Sequence, residues 1–305
     1  MALELQILGS NSAAFAHNRH HTAQLLRVQD KYYLIDCGEG TQLLLKRFKI
    51  KLARIQNILI SHLHGDHYYG LMGLLSTLHL YGKKADVHIY GPPGLSEIIS
   101  LQLKYSSTFL SYDIKFHEWT PNKQEVIFED HQLTIETIPL DHRIHCSGFL
   151  FREKPKRRGL LRDKIPELLT PVEVNELKNG NDLMDNEGNI RYRAKEVTIP
   201  PKKPYSYAYC SDTRLIPGME EKIRDVDLVY HESTFMEDMK ERANYTFHTT
   251  AAQAASLAKK ANVGKLLLGH FSTRYKDLAP MLNEAKNIFE NTELAEEGRR
   301  FLINH

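Results

Sequence analysis

The chain opens on alternation. In LELQILG, residues 3–9, every second position is apolar as far as Ile7, and a glycine ends the run, which predicts a strand. AQLLRV and KYYLIDCG predict two more strands, the second running into Asp36, Cys37 and Gly38. TQLLLKRFKI follows as a helix, and IQNILIS, 55–61, as a buried strand. GLMGLLSTLHLYG and GLSEIISLQLKYSS read as helices on either side of DVHIYGPPG, a strand closed by a Gly-Pro-Pro-Gly turn. QLTIETIPL, YSYAYCSD, DLVYHES and KLLLGH are further strands. TTAAQAASLAKKA, 249–261, is a helix with threonines placed to cap it. Strands interleaved with helices predict a layered α/β fold. Asp36, His62, His142, Asp212, Glu232 and His270 all fall at or just past the C-terminal end of a predicted strand. In layered α/β proteins such ends gather along one edge, where sites form.

The pattern breaks from about residue 151 to residue 204. FREKPKRRGLLRDK carries seven Lys or Arg against one Glu and one Asp. NELKNGNDLMDNEGNIRYR looks loop-rich and hairpin-like, and IPPKKP closes the segment before the core resumes at Tyr205. The expectation is one core domain made of residues 1–152 and 205–305, with 153–204 inserted as a basic arm.

Composition narrows the setting. Hydrophobic residues at 42% and charged residues at 26% suit a globular protein in water. A net charge of +2 excludes a general polycation, so attraction to a polyanion must come from local patches. Cys37, Cys146 and Cys210 are dispersed and odd in number, which favours a reducing compartment over a disulfide framework. The first ten residues lack the basic and apolar regions of a signal peptide, and no run approaches the ~18 apolar residues of a membrane span. A cytoplasmic location is expected.

The strongest chemical signal is SHLHGDH, 61–67, which packs His62, His64, Asp66 and His67 into six positions. Imidazole and carboxylate suit Zn²⁺ and similar ions, and the absence of cysteine argues against a closed thiolate site. So tight a turn cannot aim all four at one ion. The spacing suggests ligands shared between two neighbouring metals, an arrangement that suits displacement at phosphorus. The alternative for the motif is a polar surface loop. For His142 and His270 it is a satisfied polar side chain, and for Asp212 a helix N-cap.

SHLHGDH resembles the signature of the metallo-β-lactamase superfamily. DCGEGTQ, YGPPG, PLDH, SDTR, HESTF, FHTTAAQAA and LLLGHFSTRY occur with it along almost the whole chain, and together they resemble the ribonuclease Z family. The resemblance implies a four-layer αββα sandwich with an inserted arm, and a homodimeric endoribonuclease that removes the 3′ trailer from precursor tRNA. The products would be a tRNA 3′-OH and a trailer 5′-phosphate. It implies two Zn²⁺ per subunit, with Mn²⁺ and Co²⁺ also suited to such ligands. His62, His64 and His142 would hold one ion, Asp66, His67 and His270 the other, and Asp212 would bridge both. Asp36 would steady a ligand histidine from behind. Asp66 would also orient the attacking water, and His248, paired with Glu232, would protonate the leaving oxygen. Lys154, Lys156, Arg157, Arg158, Arg162 and Lys164 lie where the family carries its tRNA-binding arm, and Arg19 lies in a loop that meets the acceptor end. Two departures stand out: the arm lacks a Gly-Pro tip, and in AFAHNRHHTAQ Arg19 and Thr22 fit the usual loop pattern but its proline and asparagine positions do not. Another hydrolase of the same fold, an exoribonuclease or a small-molecule phosphodiesterase, is the alternative, and an RNA-binding protein without catalysis is a third.

Overall fold

A computed structural model of the chain describes residues 3–165 and 167–303. The chain divides into a unit of Met1–Arg152 with Tyr205–His305, and a second unit, Glu153–Pro204.

Among the described residues, two seven-stranded sheets organise the first unit. One runs, edge to edge, Arg300–Ile303, Leu3–Gly9, Ala23–Val28, Lys31–Ile35, Ile55–Leu59, Val87–Gly91, Ile114–Glu118. Its last four strands are parallel. The other runs Thr292–Leu294, Lys265–Gly269, Leu228–Glu232, Ser206–Cys210, Ser147–Glu153, Leu133–Pro139, Val126–Glu129. Here the first four strands are parallel. The two-residue side-chain period explains the layers. Leu3, Leu5, Ile7, Tyr33 and Ile35 point between the sheets and pack with Phe149, Phe151, Tyr207 and Tyr209. Their neighbours Leu8, Leu34 and Ile58 point outward and bury the helices Thr41–Arg47, Gly70–Leu80 and Leu95–Tyr105. On the far side, Ala208, Cys210, Val229 and Leu266 pack under the helices Ala251–Lys260 and Ala279–Lys286. The result is the expected αββα sandwich.

Parallel strands place their C-terminal ends on one side, so side chains from remote parts of the chain meet there. Gly70 lets the helix Gly70–Leu80 close against that edge: a Cβ at this position would lie 2.1 Å from the Gly38 carbonyl oxygen.

The second unit has a small core of Ile165, Leu177, Leu183, Ala194 and Val197. Its longest element is the helix Pro171–Asn179, which the sequence pattern does not predict. Thr170 and Glu173 form a reciprocal capping box there, with proline in the first turn, and Gly180 at φ 94° ends the helix.

Candidate metal centre

Three backbone positions at the sheet edge carry unusual geometry. Asp36, Asp212 and His270 follow strand ends and adopt φ of 56°, 60° and 56°, the left-handed region that non-glycine residues seldom occupy. Such strain persists only where surrounding contacts fix it, and it clusters at functional sites.

Two groups of histidine and aspartate side chains result, each able to hold a metal ion. His64 Nδ1 lies 3.0 Å from His62 Nε2 and 3.1 Å from His142 Nε2. Beside them, Asp66 Oδ2 lies 3.5 Å from both His67 Nε2 and His270 Nε2. Asp212 stands between the groups and divides its oxygens. Oδ2 is 3.6 Å from His62 and 3.7 Å from His142, while Oδ1 is 3.2 Å from His67 and 3.0 Å from His270.

The outward nitrogens are held from behind, which aims the inner lone pairs at the cluster. Asp36 is buried and takes four hydrogen bonds: from Ser61 N at 2.7 Å, Ser61 Oγ at 2.8 Å, Tyr209 OH at 2.5 Å and His67 Nδ1 at 2.7 Å. His142 Nδ1 donates to the Phe247 carbonyl at 3.2 Å. The Thr234 hydroxyl donates to Glu232 Oε2 at 2.6 Å and receives His270 Nδ1 at 2.9 Å. Ser61, Tyr209, Phe247 and Thr234 are not among the sequence candidates, because hydroxyls and a backbone carbonyl leave no spacing signal.

Electrostatics match a cation site. Burial lowers the pKa of His62, His64 and His142, the last to about 4, which keeps these imidazoles neutral and able to ligate. Burial also opposes charge on His67, but Asp212, Asp66 and Asp36 override it and push its pKa well up. Burial opposes ionisation of Asp66 and Asp212, yet the neighbouring imidazoles hold both carboxyls well below the usual range. Converging imidazole nitrogens around ionised carboxylates form a donor set that fits divalent metal.

Beside the ligands, His248 Nδ1 is 2.8 Å from Glu232 Oε1. Burial would lower the His248 pKa, but the Glu232 charge and hydrogen bond raise it to about 9. Glu232 is itself buried and fixed by the amides of Thr213 at 2.7 Å and Thr249 at 3.2 Å. His64, Asp66, His142, Asp212, His248 and His270 line a cleft of about 810 Å³, whose lining also includes Arg143, Arg242 and Arg274.

Other sequence candidates fall elsewhere. Arg19 turns inward: its guanidinium meets Asn11 Oδ1 at 3.1 Å and the carbonyls of Tyr275 at 2.5 Å and Lys276 at 3.4 Å. In the second unit, Lys156, Arg157, Arg162 and Lys164 are exposed, while Lys154 and Arg158 are half-buried. Arg157 rests on Asn175 at 2.5 Å and Arg158 on Thr198 at 2.6 Å, both neutral partners, while Lys156 Nζ lies 3.9 Å from Glu153.

Comparison with known proteins accords with this geometry. A family model described as anti-Pycsar protein Apyc1 matches residues 3–156. Ribonuclease Z of Cytophaga hutchinsonii is 48% identical over 304 residues, covering 100% of this chain and 97% of its own. Ribonuclease Z of Bacteroides fragilis is 45% identical, covering 97% of each chain. Among solved structures, the short form of human tRNase Z aligns with a TM-score of 0.73 at 25% identity, covering 99% of this chain and 100% of its own. The metallo-β-lactamase fold protein YhfI of Bacillus subtilis aligns with a TM-score of 0.69 at 17% identity, covering 99% of each, a likeness of fold alone.

Proposed function

Because the chain belongs to the ribonuclease Z family, we propose that it is a metal-dependent endoribonuclease that removes the 3′ trailer from precursor tRNA. The observation that carries this reading is Asp212, whose two oxygens face two separate histidine groups. His62, His64 and His142 would hold one zinc ion and Asp66, His67 and His270 the other, with Asp212 shared. Bound there, divalent metal lowers the pKa of water and offsets charge on the phosphate oxygens.

The chain's own groups account for the rest. Asp66 receives the Ala13 amide on Oδ2 at 2.8 Å, which fixes the carboxylate that orients the attacking water. His248, kept protonated by Glu232, gives its proton to the departing ribose 3′-oxygen, leaving 3′-OH on the tRNA and 5′-phosphate on the trailer. The exposed cations of residues 156–164 would meet tRNA backbone, recognised by charge and shape. A homodimer is supported by exposed Leu80, Tyr81, Tyr105 and Phe109 at neighbouring helix ends, where His79 and Ser111 are hydrogen bonded. A cytoplasmic setting is supported by three buried, free cysteines. No helix among the described residues is long and apolar enough to cross a membrane.

The test is cleavage of a precursor tRNA carrying a 3′ trailer, with and without chelator. Metal-dependent release of an intact trailer with a 5′-phosphate supports the reading. Stepwise removal of nucleotides would replace it with an exonuclease, and cleavage of a chromogenic phosphodiester alone with a small-molecule hydrolase.

A further inference from the structure

Three arginines converge on the cleft from separate parts of the chain. Arg143 follows the ligand His142, Arg242 lies on the short helix Lys240–Tyr245, and Arg274 lies beyond the ligand His270. All three are exposed, and among the described residues none forms an ion pair with a carboxylate. By contrast, Arg191 pairs with two glutamates and Arg214 with Asp141. Tyr69 also lines the cleft, 65% exposed, its ring edge-on to Tyr68 at 5.0 Å. Glu39 is the exposed carboxylate on the rim, leaving three cations against it.

We propose that Arg143, Arg242 and Arg274 form a phosphate cradle that holds consecutive phosphates of a single RNA strand on both sides of the cleaved linkage, with Tyr69 stacking one unpaired base. Guanidinium forks suit phosphate oxygens, and a base face suits an aromatic ring whatever the sequence. The cradle therefore reads the presence of an unpaired strand and not its sequence. This rests on the endonuclease reading above.

The experiment measures binding of the metal-loaded protein to an RNA with a short acceptor stem and single-stranded trailer, carrying a non-hydrolysable phosphonate at the cleaved linkage. Salt is varied, and wild type is compared with Arg143→Ala, Arg242→Ala, Arg274→Ala and the corresponding lysine variants. Each alanine should weaken binding roughly tenfold and flatten the log–log salt slope by about 0.7, equally for unrelated trailer sequences. Lysine should restore the slope, because it keeps the charge. Tyr69→Ala should weaken binding with the slope unchanged. Slopes equal to wild type in the alanine variants would overturn the cradle, and so would losses that depend on trailer sequence. Cleavage of precursor tRNA by wild type is scored in parallel. Flattened slopes without precursor cleavage would retain the cradle and remove the tRNA reading, whereas cleavage with unchanged slopes would do the reverse.

Discussion

Asp212 has four imidazoles within 3.7 Å, and its replacement tests the whole ligand assignment. Asp212→Ala should lose bound metal at both groups and nearly all phosphodiester cleavage; full metal content by elemental analysis, with full activity, would remove it from the ligand set. Asp36→Asn is subtler. It keeps the shape but weakens the acceptor that fixes His67, and should reduce metal affinity roughly 10–100-fold. His248 makes the pH prediction. Its pKa is raised to about 9, so the proton needed by the leaving group is present at neutral pH and lost as pH rises through that value. Metal cations held beside it would add like charge, so the alkaline limb of the rate should fall at or below about 9. His248→Ala should lower the rate roughly 10²–10⁴-fold and abolish that limb. A limb that persists unchanged in this variant would assign the proton to another group.

The elements that lead into the clustered histidines and aspartates are the legible ones. Ile55–Leu59, Ser206–Cys210 and Lys265–Gly269, which run into His62, Asp212 and His270, show in the sequence by their strongly apolar runs. The edge strands Ile114–Glu118, Val126–Glu129 and Arg300–Ile303 are not predicted by the pattern. Ile114–Glu118 and Val126–Glu129 bury little, and an edge strand half in solvent carries too few apolar positions to show a period, whereas Arg300–Ile303 buries Phe301 and Ile303 but is only four residues long. Ser147–Glu153 escapes for another reason. It is buried along nearly its whole length, but its end merges with the basic run that follows. The residues that cluster are legible because the motifs carry them, whereas the supports behind them come from tertiary contacts such as Tyr209 with Asp36. Helix Ala251–Lys260 is readable from its threonines, and its cap offers a stability test. The Thr250 side chain accepts the Gln253 amide in a reciprocal capping box. Thr250→Ala should cost about 1 kcal/mol, seen as a lower midpoint in urea with unchanged slope; an unchanged midpoint would mean the cap contributes nothing there.

At the scale of the whole molecule, the question is whether the core needs the residues 153–204 to fold or only to find its RNA. The sheet supplies the means to ask. Arg152 and Ser206 are paired neighbours on the antiparallel strands Ser147–Glu153 and Ser206–Cys210, so the chain leaves and re-enters the core at adjacent points. The small apolar core of the second unit consists of its own residues, and none of the metal-ligand candidates lies within it. Replacing the segment with a short Asn-Gly hairpin turn should therefore leave the two sheets paired. The shortened protein should keep its metal and hydrolyse a chromogenic phosphodiester. Without the cations of Lys156, Arg157, Arg162 and Lys164, its KM for precursor tRNA should rise and its salt dependence should weaken, by a log–log slope of roughly 0.7–0.9 for each phosphate no longer neutralised. Steady-state kinetics at two salt concentrations measure both. Precursor cleavage with unchanged KM and salt slope would show that these cations are only a solvated face and that the core alone recognises tRNA.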